Sequence, residues 1–271
     1  MEKKFKLGVI GAGFMSYSIV SGALSAGFLS ADDILVSDVN ESSLVKFNEK
    51  CVKTTLDNAE VLHKSDFVLF AVKPQHFVNA LSGVKNLSCT KFISIMAGVK
   101  KSTIKTALNY AGIKVARCMP NTPCSVGNGA VGIDLSDYDV SSDIDFIKNL
   151  FSSFAKVVLV DESKLNAVTG ISGSSPAYFY LFIKCLIDAG VKQGLSEQDA
   201  KNLAVNTMIG SGKMIFENAD KSLDELISAV CSKGGTTIEA IKVFNECNLN
   251  EITDKAVSAC VKRAEELENL S

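Results

Sequence analysis

Three stretches of this 271-residue chain combine residue types that can do chemistry. In the first, Gly11, Ala12, Gly13, Phe14, Met15 and Ser16 stand between an apolar run at 6–10 and a helical pattern at 15–26. The first glycine allows a tight turn and the second lets a diphosphate approach the backbone. The helix start that follows offers N–H groups and a positive dipole end to an anion. This is the pattern of a dinucleotide site, with Ser16 at the third small position. Asp38 closes the run 34–37, about 20 residues on, where an acidic side chain takes a ribose 2′-hydroxyl. That points to NADH. Ser37, Asn40, Ser42 and Ser43 form a polar cluster able to host a 2′-phosphate, although without an arginine. The cofactor is therefore read as NADPH or NADH.

In the second stretch, Ser232, Lys233, Gly234, Gly235, Thr236 and Thr237 lead into a helical pattern. Hydroxyls and helix-end N–H groups can converge there on a carboxylate, and paired glycines remove side chains that would block approach. Read as a plain connector, Thr236 to Glu239 is a capping box. In the third, Ser172, Gly173, Ser174 and Ser175 precede Pro176. They form either a polar floor beneath a nicotinamide and its substrate, or a helix cap with proline at the first helical position.

Positions just past strand ends complete the set, because ligands of open α/β sheets bind at the carboxyl ends of strands. Ala71, Val72, Lys73 and Pro74 are assigned to cofactor contact, and Asn58, Ala97, Gly98 and Asn121 are further candidates. Arg117 either pins the turn 119–123 by hydrogen bonds or meets the cofactor phosphates.

These groups need elements to position them. Short apolar runs at 6–10, 34–37, 67–72, 91–95, 114–117 and 157–159 read as strands. Helical patterns at 15–26, 41–50, 77–81 and 103–110 lie between several of them. Strand–helix alternation predicts an α/β fold, a doubly wound parallel sheet of Rossmann type with helices on both faces. From Pro176 onward the patterns are helical, with helices opening near Ser175 and Ser196, at 223–230 and near Thr236. The expected division is 1–161 for dinucleotide binding and 162–271 for an all-helical substrate and dimerisation domain. The stretch 177–183 is apolar on all sides, which suits burial against a partner subunit.

Composition narrows the class. Twenty-eight basic and 30 acidic residues give a net charge of −2 without a basic block, so nucleic acid is not an expected partner. At 47% hydrophobic the chain is not a disordered one. No apolar stretch reaches the length of a membrane span, and the start of the chain lacks a signal-peptide pattern, so no membrane contact and a cytoplasmic location are expected. Eight cysteines without a CxxC pair and only two histidines argue for reduced, packed thiols rather than a metal site.

Five motifs in order make the chain more specific. They are residues 71–75 (AVKPQ), 117–123 (RCMPNTP), 167–177 (AVTGISGSSPA), 188–195 (DAGVKQGL) and 232–237 (SKGGTT). Together they resemble the pyrroline-5-carboxylate reductase family over essentially the whole chain. The resemblance implies a Rossmann domain, a helical domain forming a homodimer or a ring of dimers, and NAD(P)H-dependent reduction of 1-pyrroline-5-carboxylate to L-proline. It also implies that Ser232, Thr236 and Thr237, with Gly235, hold the substrate carboxylate. The Thr237 hydroxyl would lie near the ring nitrogen, so Ser232 and Thr237 are the catalytic candidates. Glu162 and Asp220 match acidic positions near the ligand ring, and Ser172 and Ser174 the polar floor. The chain departs from the family pattern at Ser175 (usually glycine), Lys233 (usually proline) and Asn166 (usually aspartate). A strong acid–base residue is not compulsory for this reaction, because a cyclic imine is basic enough to be protonated near neutral pH. Two other readings are a reductase of another imine or a β-hydroxyacid, for which Lys184 and Lys213 lie outside the expected lysine motif, and a nucleotide sensor without turnover.

Overall fold

A computed structural model describes residues 4–82, 84 and 87–270. The chain divides into two compact units, Met1–Ser174 with Cys260–Ser271, and Ser175–Ala259. This division falls later than residue 161 and returns the chain's end to the first unit.

The first unit alternates strands and helices as its apolar periodicity demands. In chain order it runs β1 (Phe5–Ile10), α1 (Phe14–Ser25), β2 (Ile34–Ser37), α2 (Glu41–Asn48), β3 (Lys53–Thr55), α3 (Asn58–Lys64), β4 (Ser65–Phe70) and α4 (Phe77–Ala80). It continues with β5 (Lys91–Ser94), α5 (Lys101–Leu108), β6 (Lys114–Pro120), β7 (Gly129–Asp134), α6 (Ser141–Ser152), β8 (Ala155–Leu159) and α7 (Leu165–Val168). The eight strands form one sheet in the order β3-β2-β1-β4-β5-β6-β7-β8. Residues of the six inner strands β1, β2, β4, β5, β6 and β7 are mostly buried on both faces, hence their near-continuous apolar runs. Within β4, Phe67 and Leu69 join a core with α1, α2 and α6. Val68 and Phe70 point the other way, into a core with α3, α4 and α5. This is the period of two that a pleated strand imposes.

The doubly wound sheet is as expected, with three corrections. The sheet is not wholly parallel: β7 runs antiparallel to β6, which a short connection permits without a crossover helix. Two strands escape the sequence reading. In β7, Gly129, Ala130 and Gly132 dilute the apolar signal, and Gly132 is small because Val168 packs directly on it. In β3 the sequence Lys53–Thr55 is polar because the strand lies at the sheet edge. Three helices escape as well, α3, α6 and the single turn α7. The α3 helix is opened by the Asp57 side chain accepting from the Ala59 N–H, and α6 buries Ile147, Leu150 and Phe151.

The second unit is helical: α8 (Ser175–Lys192), α9 (Glu197–Glu217), α10 (Leu223–Val230), α11 (Thr236–Glu246) and most of α12 (Leu249–Leu270). The sequence reading did not single out α12. Ser196 caps α9 through the Asp199 N–H, and Ser222 with Glu225 forms a full capping box on α10. The capping box expected at Thr236 does not form: α11 is capped by Gly235, with no side-chain hydrogen bond. Among the described residues no helix is long and apolar enough to cross a membrane, and no cluster of metal-ligating side chains occurs. All eight cysteines are free thiols. Cys89, Cys118 and Cys124 are packed as expected, whereas Cys51, Cys185 and Cys247 are exposed.

Candidate active site

The sheet order reverses around β1, whose neighbours are β2 and β4. The chain leaves β1 toward one side and returns to the other, so the carboxyl ends of these strands splay apart. A cleft of about 650 Å³ opens there. Gly11 makes the turn that creates it. Its N–H donates to the Ser37 carbonyl at 2.8 Å, and its φ of +103° is open to glycine at little cost. A side chain at Gly11 would run into the backbone of Ala71 and Val72 at 2.8 Å.

Gly13 caps α1 without a side-chain partner, and the space where its Cβ would stand is open. Uncapped first-turn N–H groups beside an open cradle fit a dinucleotide's diphosphate. Asp38 is fixed at the rim: Oδ2 accepts from the Ala12 N–H at 2.7 Å and Oδ1 from the Asn40 N–H at 2.9 Å. Asn58 opens α3 and bridges the ends of two elements. Its Oδ1 accepts from the Ser37 hydroxyl at 2.7 Å and its Nδ2 donates to the Ala80 carbonyl at 3.0 Å.

Seven expected cofactor residues line this cleft: Gly11, Gly13, Asp38, Asn58, Ala71, Val72 and Lys73. Others lie elsewhere. Ser37 is fully buried and Ala12 nearly so, Phe14 is exposed, and Met15 packs on the core. Pro74 lines a separate hollow with Phe77, Val99 and Leu267. Ala97 is exposed, and Gly98 at φ +71° lies against Leu267. Asn121 is buried, its Oδ1 accepting from the Ala130 N–H at 2.9 Å. Asn40 and Ser43 of the polar cluster also line it, and the reading missed Ile10, Val39, His76, Asn79 and Ala80. Asn79 and Ala80 belong to a helix of one turn that carries no motif of its own; nearness to the Lys73–Pro74 step was the available signal.

In the second unit the loop before α11 is a β-turn. The Gly235 N–H donates to the Ser232 carbonyl at 2.9 Å, and Gly234 takes a φ of +74°. That positive φ at the third position is what a type II turn asks of glycine. Ser232 and Thr236 are exposed and Thr237 is half-buried in the first turn of α11. With no side-chain cap, the helix presents free N–H groups beside three hydroxyls, a constellation suited to a carboxylate. Asp220 is exposed in the turn before α10.

Comparison with known proteins decides the affiliation. Residues 162–267 match the family model for pyrroline-5-carboxylate reductase dimerisation, and residues 6–98 match that for NADP oxidoreductase, coenzyme F420-dependent. A pyrroline-5-carboxylate reductase of Haemophilus influenzae is 36% identical over 264 residues, covering 96% of this chain and 97% of the relative. The chain belongs to the pyrroline-5-carboxylate reductase family. Solved members superpose closely. The structure from Coxiella burnetii is 33% identical with a TM-score of 0.87, over 98% of this chain and 99% of that one. That from Plasmodium falciparum, with NADP bound, is 27% identical with a TM-score of 0.84 over the same shares. The chain is thus an NAD(P)-dependent oxidoreductase, and its helical unit carries the family's dimerisation segment.

Within this family frame the remaining candidates find places. Arg117 is buried and faces carboxylates, not a phosphate: its guanidinium meets Glu268 at 2.7 Å and Glu162 at 3.3 Å. It therefore does not pin the 119–123 turn. Glu162 also accepts from the Lys101 N–H at 2.8 Å, the first N–H of α5. Ser172 donates to the Val168 carbonyl at 3.1 Å, and Ser174 accepts from the Cys260 thiol at 3.2 Å. Ser172 lies within the π-helical turn Thr169–Gly173 and Ser174 caps it, a geometry frequent at functional sites and invisible to a 3.6-residue periodicity. Lys233 stands at the second position of its turn and is exposed. Proline is favoured there, so the family's proline and this lysine serve the same backbone. Lys184, the lysine of the hydroxyacid reading, is paired with Asp188 at 2.6 Å.

Proposed function

We propose that this chain reduces the C=N bond of 1-pyrroline-5-carboxylate with NADPH or NADH, giving L-proline as the last step of proline biosynthesis. The observation that carries the reading is the turn Ser232–Gly235 set on the bare N-terminus of α11, in a chain similar to these reductases from end to end. When bound, the reduced nicotinamide supplies the hydride. The protein's own contribution is binding and orientation. The Gly11–Gly13 turn and α1 hold the diphosphate, and Ala71, Val72 and Lys73 border the cofactor. Ser232, Thr236 and the N–H groups of α11 bind the substrate carboxylate. Thr237 hydrogen-bonds at the ring nitrogen, and its hydroxyl serves as a proton relay second. Ser172 and Ser174 provide the polar floor, and Glu162 and Asp220 the acidic border. We assign residues 1–161 to cofactor binding and 162–271 to substrate binding and dimerisation. The working form is a homodimer or a ring of dimers in the cytoplasm, with neither nucleic acid nor membrane as partner.

The test is the initial rate of cofactor oxidation with 1-pyrroline-5-carboxylate, with proline quantified as product. Proline-forming turnover is expected. Thr237→Val should lower kcat/KM about 10- to 100-fold, the cost of one hydrogen bond to a charged group. A folded protein that binds either cofactor and forms no proline refutes the reading.

A further inference from the structure

We infer that Asp38 makes this chain selective for NADH over NADPH. The inference rests on the dinucleotide reading of the first-unit cleft but not on the identity of the imine.

Asp38 directly follows β2 and lines the cleft. Its carboxylate is anchored by two backbone donors, the Ala12 N–H at 2.7 Å and the Asn40 N–H at 2.9 Å. It is held between the glycine turn and the start of α2 and does not swing aside freely. At this place in a dinucleotide-binding sheet an acidic side chain accepts from the ribose 2′-hydroxyl. A 2′-phosphate there would set like charges in contact, a repulsive element of the kind that produces selectivity.

The groups that could offset this repulsion are committed elsewhere. The Ser37 hydroxyl is buried and donates to Asn58 at 2.7 Å. The Asn40 side chain caps α2, accepting from the Ser42 N–H at 3.1 Å and the Ser42 hydroxyl at 2.8 Å. The polar cluster that suggested a phosphate is thus largely turned on itself, leaving Ser43 in the lining. Among the described lining residues there is no arginine. The basic ones, Lys73 and His76, follow β4, and the sheet order places β4 on the opposite side of β1 from Asp38. Lys46 of α2 bonds the Gly13 carbonyl at 3.1 Å and lies over the rings of Tyr17 and Phe47.

The experiment measures dissociation constants of NADH and NADPH on the full chain, without substrate, from nicotinamide fluorescence. NADH is expected to bind at least about tenfold more tightly. Asp38→Asn keeps an acceptor for the Ala12 N–H and removes the charge, so it should narrow the ratio by about tenfold. Adding Val39→Arg to Asp38→Ser should reverse the preference, because a guanidinium accommodates a 2′-phosphate. Equal or tighter NADPH binding by the unaltered chain overturns the inference, as does an unchanged ratio in a folded Asp38→Asn variant. Selective NADH binding without proline formation supports this inference and defeats the proposed function. Proline formation with tighter NADPH binding does the reverse.

Discussion

The two units spend their apolar residues in opposite ways. In the first, β1, β2, β4 and β5 sit between two cores, and Phe47, Phe70, Phe92 and Phe151 are sealed from solvent. In the second, Ser175, Pro176, Ile183 and Ala200 are the buried residues, while Phe179, Tyr180, Leu181, Phe182, Leu203 and Phe216 are exposed. A sheet covered on both faces closes its own core. A small helical unit with this much exposed apolar surface does not, and such patches mark association surfaces. The first unit carries its cleft within its own sheet, whereas the second leaves apolar side chains exposed and lies within the segment that matches the family's dimerisation model.

The largest expected effect tests that contrast with one substitution made twice. Phe151→Ala removes a fully buried ring from the first unit and should cost about 3–5 kcal/mol, read as a lowered denaturation midpoint at every protein concentration. Phe216→Ala removes a ring that is 79% exposed in the single chain. Its cost should grow with protein concentration and fade on dilution to monomer, because only association buries it. A Phe216→Ala cost independent of concentration would break the comparison.

Leu181→Asp is expected to act on assembly. A charge on the exposed apolar face of α8 should shift sedimentation toward monomer and abolish proline formation. NADH binding by the first unit should stay within about twofold, since surface changes remote from a site are near neutral. Leu56→Asp, at an exposed leucine of the first unit, should leave assembly intact. If both variants dissociate, the association surface is not confined to the helical unit.

Acid should injure the first unit through one buried cluster. Lys101 meets Asp134 at 3.2 Å and Asp137 at 3.3 Å, and Lys105 meets Asp137 at 2.7 Å. Burial pushes both carboxyls up, but hydrogen bonds from Ser136 and Lys101 on Asp134, and from Lys105 and the Val115 N–H on Asp137, outweigh it. Both therefore ionise more readily folded than unfolded. Their contribution is present above an unfolded pKa of about 4 and is lost as pH falls through the lower folded values. Denaturation midpoints of the unaltered chain and Asp134→Asn should converge as pH falls from 6 toward about 3. Parallel curves would remove the cluster from the account.

The contrast between units also separates what sequence reveals from what it hides. Strands buried on both faces announce themselves, as the runs at Ile34–Ser37 and Lys91–Ser94 do. Polar β3 and glycine-thinned β7 do not, since edge position and a close neighbour such as Val168 are tertiary facts. The glycine turn and Asp38 were readable because local backbone geometry dictates them. Ser37 was readable as polar but not as buried, and the Arg117 pairing with Glu268 joins residues far apart in sequence. The π-helical turn and the bare cap of α11 arise from choices of hydrogen-bond partner that residue type alone does not determine.

The smallest effect concerns Lys233, which sharpens the view of the second unit as a frame around a rigid turn. If the turn is shaped by Gly234 at φ +74° and the hydrogen bond from Gly235 to Ser232, the side chain at its second position is incidental to its form. Lys233→Pro should then restrict the unfolded chain more than it perturbs the folded one, stabilising by about 0.4–1 kcal/mol. A rise in Tm of about 1–4 °C would register it. Destabilisation would mean that Lys233 holds a backbone conformation proline cannot take, and that the loop differs in shape from the glycine turn described.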